Sequence, residues 1–71
     1  MHKHVIIEFT IISMYRVVDV VCMEKRIEGD DEDILLEMAR EWVTRKYEKI
    51  MAKYPYPQYT IKREARAATI L

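Results

Sequence analysis

Two histidines and one cysteine are the side chains of this sequence best suited to metal or nucleophilic chemistry. His2 and His4 are two residues apart, so on a strand they share one face and both could ligate a metal ion. A zinc site needs three or four protein ligands, and Cys22 falls on a strand position that does not join the histidines. The neighbours of Cys22 are valine and methionine, which supply no base for a nucleophile. We therefore predict no catalytic residue, no metal site and no cofactor.

A run of carboxylates with the sequence EGDDED occupies residues 28–33. Carboxylate oxygens at alternating sequence positions can surround a calcium ion, but the twelve-residue calcium-binding loop with glycine at its sixth position is missing. The run is typical of a helix start, where Asp30 or Asp31 caps free amide groups and further acids favour the positive end of the helix dipole. The same side chains also form a candidate surface for steering toward a basic partner: Asp30, Asp31, Glu32 and Asp33.

The length of 71 residues is enough for one domain and too short for a large core. The single cysteine excludes an internal disulfide, and such a cysteine in an apolar stretch is most often a small buried residue in a reducing compartment. The most apolar segment, residues 5–23, contains Glu8, Arg16 and Asp19, which argue against a membrane span or a signal peptide. We expect a single cytoplasmic domain, residues 1–71, with no membrane partner.

Twelve basic and twelve acidic residues cancel, so little long-range attraction to nucleic acid is expected. Their distribution is uneven, because every charged residue in 28–41 except Arg40 is acidic, whereas lysine and arginine outnumber glutamate from Arg45 onward. The molecule should therefore have an acidic pole and a basic pole. The residues that would contact nucleic acid, as an alternative function, are Arg45, Lys49, Lys53, Lys62, Arg63 and Arg66.

Two segments predict strands because they are rich in valine and isoleucine and lack glycine and proline: residues 4–12 and 17–27. A helix over residues 14–25 is the alternative. The β-branched content favours strands, so we expect a hairpin with its turn at residues 13–16.

A four-residue loop at that turn predicts the better strand register. A shorter loop would set Glu8 opposite Asp19, which is an unfavourable like-charge pair. With the longer loop the core face carries the pairs Ile7–Cys22, Phe9–Val20 and Ile11–Val18. The outer face is then half apolar, and its apolar members are our candidate oligomer surface: Ile6, Ile12, Val17, Val21 and Met23.

Residues 31–53 predict one long helix, which the prolines at 55 and 57 end. Placing residues at 100° intervals gives a core stripe of Leu36, Ala39, Val43, Tyr47, Ile50 and Tyr54, with Leu35 and Met51 on its shoulders. Ile34, Met38 and Trp42 repeat every four residues away from that stripe, and we call them the helix ridge. Such a ridge predicts a docking surface, the alternative being that Trp42 folds over the sheet edge.

Alternating residues predict a third strand from Tyr59 to Ala67. The β-β-α-β order predicts a small α+β domain, with a three-stranded, mainly antiparallel sheet and one long helix packed on one face. In outline alone, this arrangement is similar to short phage-encoded inhibitor domains.

We therefore expect a small non-enzymatic module that binds another protein through the helix ridge and the acidic residues. An inhibitor from a phage or mobile element, or an antitoxin-like neutraliser, suits such a chain. Two alternatives stay open. One is a nucleic-acid-binding protein that uses the basic helix end and last strand, and the other is a structural homodimer whose sheets pair through edges or outer faces.

Overall fold

A computed structural model describes the backbone of residues 1–70 and the side chains of residues 1–66, and this part of the chain contains three strands and one helix. The elements are β1 (His2–Ser13), β2 (Arg16–Glu28), α1 (Glu32–Lys53) and β3 (Thr60–Ile70). The strands form one antiparallel sheet in the order β2-β1-β3, and α1 packs on one face. The predicted small α+β domain with β-β-α-β order is confirmed.

The central strand β1 supplies most of the core, since it has a strand on each side and the helix above it. Val5, Ile7, Phe9 and Ile11 alternate toward the helix and are at most 1% exposed. Burying each of these large side chains contributes about 2 kcal/mol of hydrophobic free energy. The predicted inward face of β1 is therefore confirmed.

The helix begins and ends at the predicted positions. The Asp31 carboxylate accepts hydrogen bonds from the backbone amides of Asp33 at 2.9 Å and Ile34 at 3.4 Å, which satisfies two free donors of the first turn. At the other end the backbone amide of Tyr54 donates to the carbonyl of Ile50 at 2.9 Å. The cap and the downstream prolines explain the 22-residue length.

The hairpin turn is shorter than predicted. Only Met14 and Tyr15 form it, instead of residues 13–16, and both have positive φ angles, 51° and 65°. The pair Ile12–Val17 follows the predicted register, but a bulge in β2 then inserts one residue, and every pair beyond it is shifted by one.

The bulge exchanges the two faces of β2. Val21 and Met23, which we placed on the outer oligomer surface, pack against the core instead. The residues that we placed in the core are exposed: Val18, Val20 and Cys22. A one-residue slip has this effect because successive side chains of a strand point to opposite faces. The predicted β2 face and the predicted burial of Cys22 are therefore wrong.

The helix is rotated relative to the predicted core stripe. Leu35, which we placed on the shoulder of the stripe, is 0% exposed, whereas Leu36 is only half-buried. Ala39 and Ile50 are buried as predicted. The rotation turns the Leu35 side of α1 toward the sheet, and this change brings Trp42 into contact with the core.

The third strand shows the predicted alternation. Ile61 lies beside Ile11 and Arg63 lies beside Phe9, so both side chains are on the helix side of the sheet. The strand starts one residue later than predicted and extends to Ile70.

The described part of the molecule is elongated, with dimensions of 44 × 17 × 13 Å. One end holds the start of α1, where the Gly29 amide donates to the Met1 carbonyl at 3.1 Å. The other end holds the hairpin turn and the end of α1, because Tyr54 contacts Asp19 there. Across residues 1–70, no helix is long and apolar enough to cross a membrane.

Candidate functional site

The helix ridge lies along the side of α1 that faces β2. Met38 and Trp42 line a groove between these two elements, and Ile34 continues the row one turn earlier. Ile34 is 57% exposed and Met38 is 43% exposed, so both present apolar surface to solvent. The structure therefore brings two of the three ridge residues together as an accessible surface.

Trp42 has a different environment from the other two ridge residues. It is half-buried and packs against both clusters of the core, one around Val5 and Leu35 and one around Phe9. Its indole therefore forms the inner end of the ridge and supports the fold. This packing agrees with the alternative in which Trp42 folds over the sheet.

The groove beside the ridge has an apolar floor and a charged rim. Ile27 and Trp42 supply apolar surface, and cationic side chains dominate the rim: Lys25, Arg26, Arg45, Lys46 and Lys49. Glu28 and Glu41 are the acidic members of this lining. A groove of this kind suits an apolar side chain that is accompanied by a carboxylate.

The four candidate acidic residues do not share one role. Asp31 is committed to the helix cap. Glu32 lies 3.6 Å from the ammonium group of Lys3, which is 7% exposed. Asp30 and Asp33 are exposed at the acidic end of the molecule. Asp30 and Asp33 therefore remain the candidates for steering toward a basic partner, because Asp31 caps the helix and Glu32 contacts Lys3.

Lys3 is an inward residue that the sequence reasoning missed. It lies on the helix side of β1, in the same row as Val5 and Ile7. The alternation of side chains along β1 indicates this position, because residue 3 falls on the same face as the apolar residues 5 and 7. The long aliphatic stem of lysine can line the core while the ammonium group reaches Glu32 at the helix start.

Asp19 and Tyr54 form a second polar contact. The predicted register placed Asp19 on the outer face of the sheet, so this contact was not predicted. The Tyr54 hydroxyl donates to Oδ2 of Asp19 at 2.6 Å. This hydrogen bond is the main cause of a lowered pKa for Asp19, with smaller support from the Val20 amide and the charge of Lys53, while burial acts in the opposite direction. The same bond raises the pKa of Tyr54. The bond attaches the end of α1 to β2.

The candidate nucleic-acid contacts are distributed over several surfaces. Arg45 and Lys49 line the groove between α1 and β2, whereas Lys62 lies beside Thr10 on the outer face of the sheet. Lys53 lies 5.4 Å from the centre of the Tyr54 ring. These residues therefore do not form one continuous basic platform.

Two arginines of that set have contacts within the protein. The Arg63 guanidinium lies 4.6 Å from the centre of the Tyr47 ring, which places it on the helix side of the sheet. Arg66 contacts the Glu64 carboxylate at 2.6 Å on the outer face. The Glu64 carboxylate offsets the charge of Arg66, and the contact with Tyr47 holds Arg63 on the opposite face from Arg66.

The outer face of the sheet retains part of the candidate oligomer surface. Ile6 is 39% exposed and Val17 is 60% exposed, and Ile12 is partly exposed beside Val17. The register adds Val20 at 52% exposure to this surface. Its apolar part therefore follows β2 toward the hairpin turn.

The two histidines contact charged residues of β2. His4 Nε2 lies 2.8 Å from a carboxylate oxygen of Glu24, and His2 Nδ1 lies 3.3 Å from Nη2 of Arg26. Within the described part of the chain, no group of three or more His, Cys, Asp and Glu side chains is placed to hold a metal ion.

No protein-family model, curated protein or solved structure matches this chain. A functional proposal therefore depends on the surfaces of the molecule, and above all on the helix ridge.

Proposed function

We propose that this protein is a non-enzymatic cytoplasmic module that binds another protein through the exposed part of the helix ridge, Ile34 and Met38. The observation that carries the proposal is their exposure of 57% and 43% on a helix that buries Leu35, Ala39 and Ile50 against the sheet. Large apolar side chains that stand together on a rigid element are typical of protein-docking surfaces.

The surroundings of the ridge support a protein partner. Trp42 holds the inner end of the ridge in the core, so the helix is ordered before binding and little conformational entropy is lost on docking. Methionine adapts to irregular apolar surfaces, which suits Met38 at the centre of the row. The exposed carboxylates of Asp30 and Asp33 lie at the start of α1, the same end of the molecule as Ile34, and favour a basic patch on the partner.

The biological role that we propose is inhibition. A short domain with one apolar ridge and a charged end can inhibit a larger protein by covering its functional surface. Such inhibition needs no catalytic residue in the small domain. An inhibitor of a host protein encoded by a phage or mobile element, or an antitoxin-like neutraliser, matches these properties.

The test compares two methionines of similar exposure on the same helix. Met38 is 43% exposed and Met51 is 41% exposed, and the two lie about 140° apart around the helix axis. We expect Met38→Glu to weaken capture of a target protein from lysate by at least about tenfold, because it introduces a charge into the docking surface. Met51→Glu is expected to capture the same protein as the wild type.

Equal capture by both variants would contradict this proposal. Both variants should retain the wild-type melting temperature within a few degrees, since both positions are exposed. Nuclease treatment of the lysate distinguishes the alternative function. A signal that nuclease removes, and that weakens steeply with salt, would assign the function to the basic residues.

A further inference from the structure

The outer edge of β2 has no neighbouring strand in the described part of the chain, because β2 is the first strand in the order β2-β1-β3. The strand is 13 residues long and contains no proline. Its bulge lies near one end, so residues 19–28 pair regularly with β1. A long and regular edge strand is a template for pairing with a further strand.

We propose that β2 pairs antiparallel with β2 of a second copy of this chain, around a two-fold axis at Cys22. Cys22 is the midpoint of Arg16–Glu28, and with this register the facing residues 19–25 all lie in the regular part of the strand. Asp19 of each copy then faces Lys25 of the other copy. Two opposite-charge pairs therefore flank the axis symmetrically.

The remaining facing pairs are also compatible. Val21 faces Met23 on the helix side, where both side chains already contact the core. Val20 faces Glu24 on the outer side. No like charges face each other in this register, which favours strand pairing.

Neighbouring registers lack this complementarity. With the axis at Met23, Asp19 faces Ile27 and Lys25 faces Val21, so each charge is set against an apolar side chain. With the axis at Val21, Asp19 faces Met23. These arrangements leave charges beside apolar groups on the helix side, and that is unfavourable.

The charge distribution of the whole molecule favours the same antiparallel arrangement. Glu28 lies at the end of the molecule that carries the acidic run, and Arg16 lies beside the hairpin turn at the other end. A two-fold axis at the middle of β2 sets the acidic end of each copy beside the basic end of the other. Opposite poles therefore attract along a molecule that is 44 Å long.

The pairing would give a six-stranded sheet with both helices on one face, because the axis is perpendicular to the sheet. Each helix lies over its β1, so three strand spacings separate the helix axes by about 14 Å. Directly packed helices are only about 8–10 Å apart. The two helix ridges would thus form the two walls of one groove between the helices. The pairing of the two copies does not require the proposed target protein.

Cys22 provides a direct test, since the axis sets it opposite itself. Facing Cα atoms in an antiparallel pair are about 4.5–5.5 Å apart, a separation that a disulfide can span. We expect the purified chain to form a disulfide-linked dimer with diamide, which takes up the two thiol hydrogens. The control is Val20→Cys in a Cys22→Ser background. This thiol is exposed on the same face but opposite Glu24, so its linkage should be at least about tenfold slower.

Sedimentation of the reduced protein between about 1 and 300 µM supplies the second measurement. A mass that rises from the 8.6 kDa of one chain toward twice that value is expected. Lys25→Asp sets two carboxylates opposite each other and should weaken dimerisation at least about tenfold. Asp19→Lys should also weaken dimerisation, and because it removes the bond to Tyr54 as well, its melting temperature is measured beside it. A mixture of the two variants should form the mixed dimer, because opposite charges then face each other again.

A monomer over the whole concentration range would overturn the proposal. Equal linkage by the two cysteine positions, or a dimer that Lys25→Asp leaves intact, would overturn the proposed axis. Because these measurements use the protein alone, their failure is separate from a failure of the Met38 capture test.

Discussion

At the scale of single residues, three side chains have roles that differ from those expected of their types. Lys3 lies among core residues, Cys22 is exposed, and Asp19 joins β2 to the end of the helix. Each difference comes from the side of a strand on which the residue lies. A polar residue on the inner side needs a partner, and Glu32 and Tyr54 are the partners that the helix supplies.

The bond between Asp19 and Tyr54 predicts an acid-dependent part of stability. The lowered pKa means that folding favours the ionised carboxylate, so the contribution is present above the ordinary pKa of 3.8 and is lost as the pH falls through the lower folded value. We expect Tyr54→Phe to lower the melting temperature at about pH 7 more than at about pH 2.5. Thermal unfolding of both proteins across this range checks the prediction. An equal difference at both ends would assign the loss to packing alone.

Trp42 predicts a stability effect because it contacts both core clusters. We expect Trp42→Ala to lower the free energy of unfolding by about 2–3 kcal/mol, which is below the loss for a fully buried tryptophan. Urea denaturation measures this value, and Met51→Ala is the control at an exposed position of the same helix. A change below about 1 kcal/mol would show that Trp42 is free to act as a binding residue instead.

At the scale of elements, the hairpin turn and the bulge decide the register of β2 against β1 and the side chains of β2 that face the helix. The turn places Met14 and Tyr15 in the left-handed region, with exposures of 88% and 103%. Neither residue type is favoured there, since turns of this kind prefer Asn-Gly. The bulge then sets the face of every later residue of β2.

Replacing this turn should stabilise the hairpin. The left-handed conformation costs about 1 kcal/mol or more for a residue with a Cβ atom, and Asn-Gly relieves most of that strain. We expect the double variant Met14→Asn, Tyr15→Gly to raise the free energy of unfolding by about 1 kcal/mol, or the melting temperature by about 4–8 °C. Calorimetry checks the change. A lower melting temperature would mean that the two side chains make contacts that stabilise the folded chain.

At the scale of the whole molecule, charged and apolar surfaces are distributed unevenly along the long axis. The acidic end carries the outer part of the helix ridge, and the hairpin turn lies at the opposite end. Both the proposed docking site and the proposed pairing edge lie on the β2 side of the helix. The same side of the molecule would then serve assembly and target binding.

The candidate site was predictable in part. The exposure of Ile34 and Met38 follows from helical periodicity and the limited width of a three-stranded sheet. The position of Trp42 was not predictable, because it depends on the rotation of the helix about its own axis. A rotation of a few tens of degrees decides whether a residue at the border of the stripe contacts the core.

The sequence by itself determined the element order, the limits of α1 and the inward face of β1. These features depend on local chemistry, such as the Asp31 cap, the downstream prolines and the alternation of apolar residues. Only the tertiary structure decided the face of β2, the partners of Lys3 and Asp19, and the packing of Trp42 against the core. The physical reason is that one inserted residue exchanges the two faces of a strand, so that the other set of side chains points toward the helix. The packing of the helix on the sheet selects between these two faces, and no local sequence pattern encodes that packing.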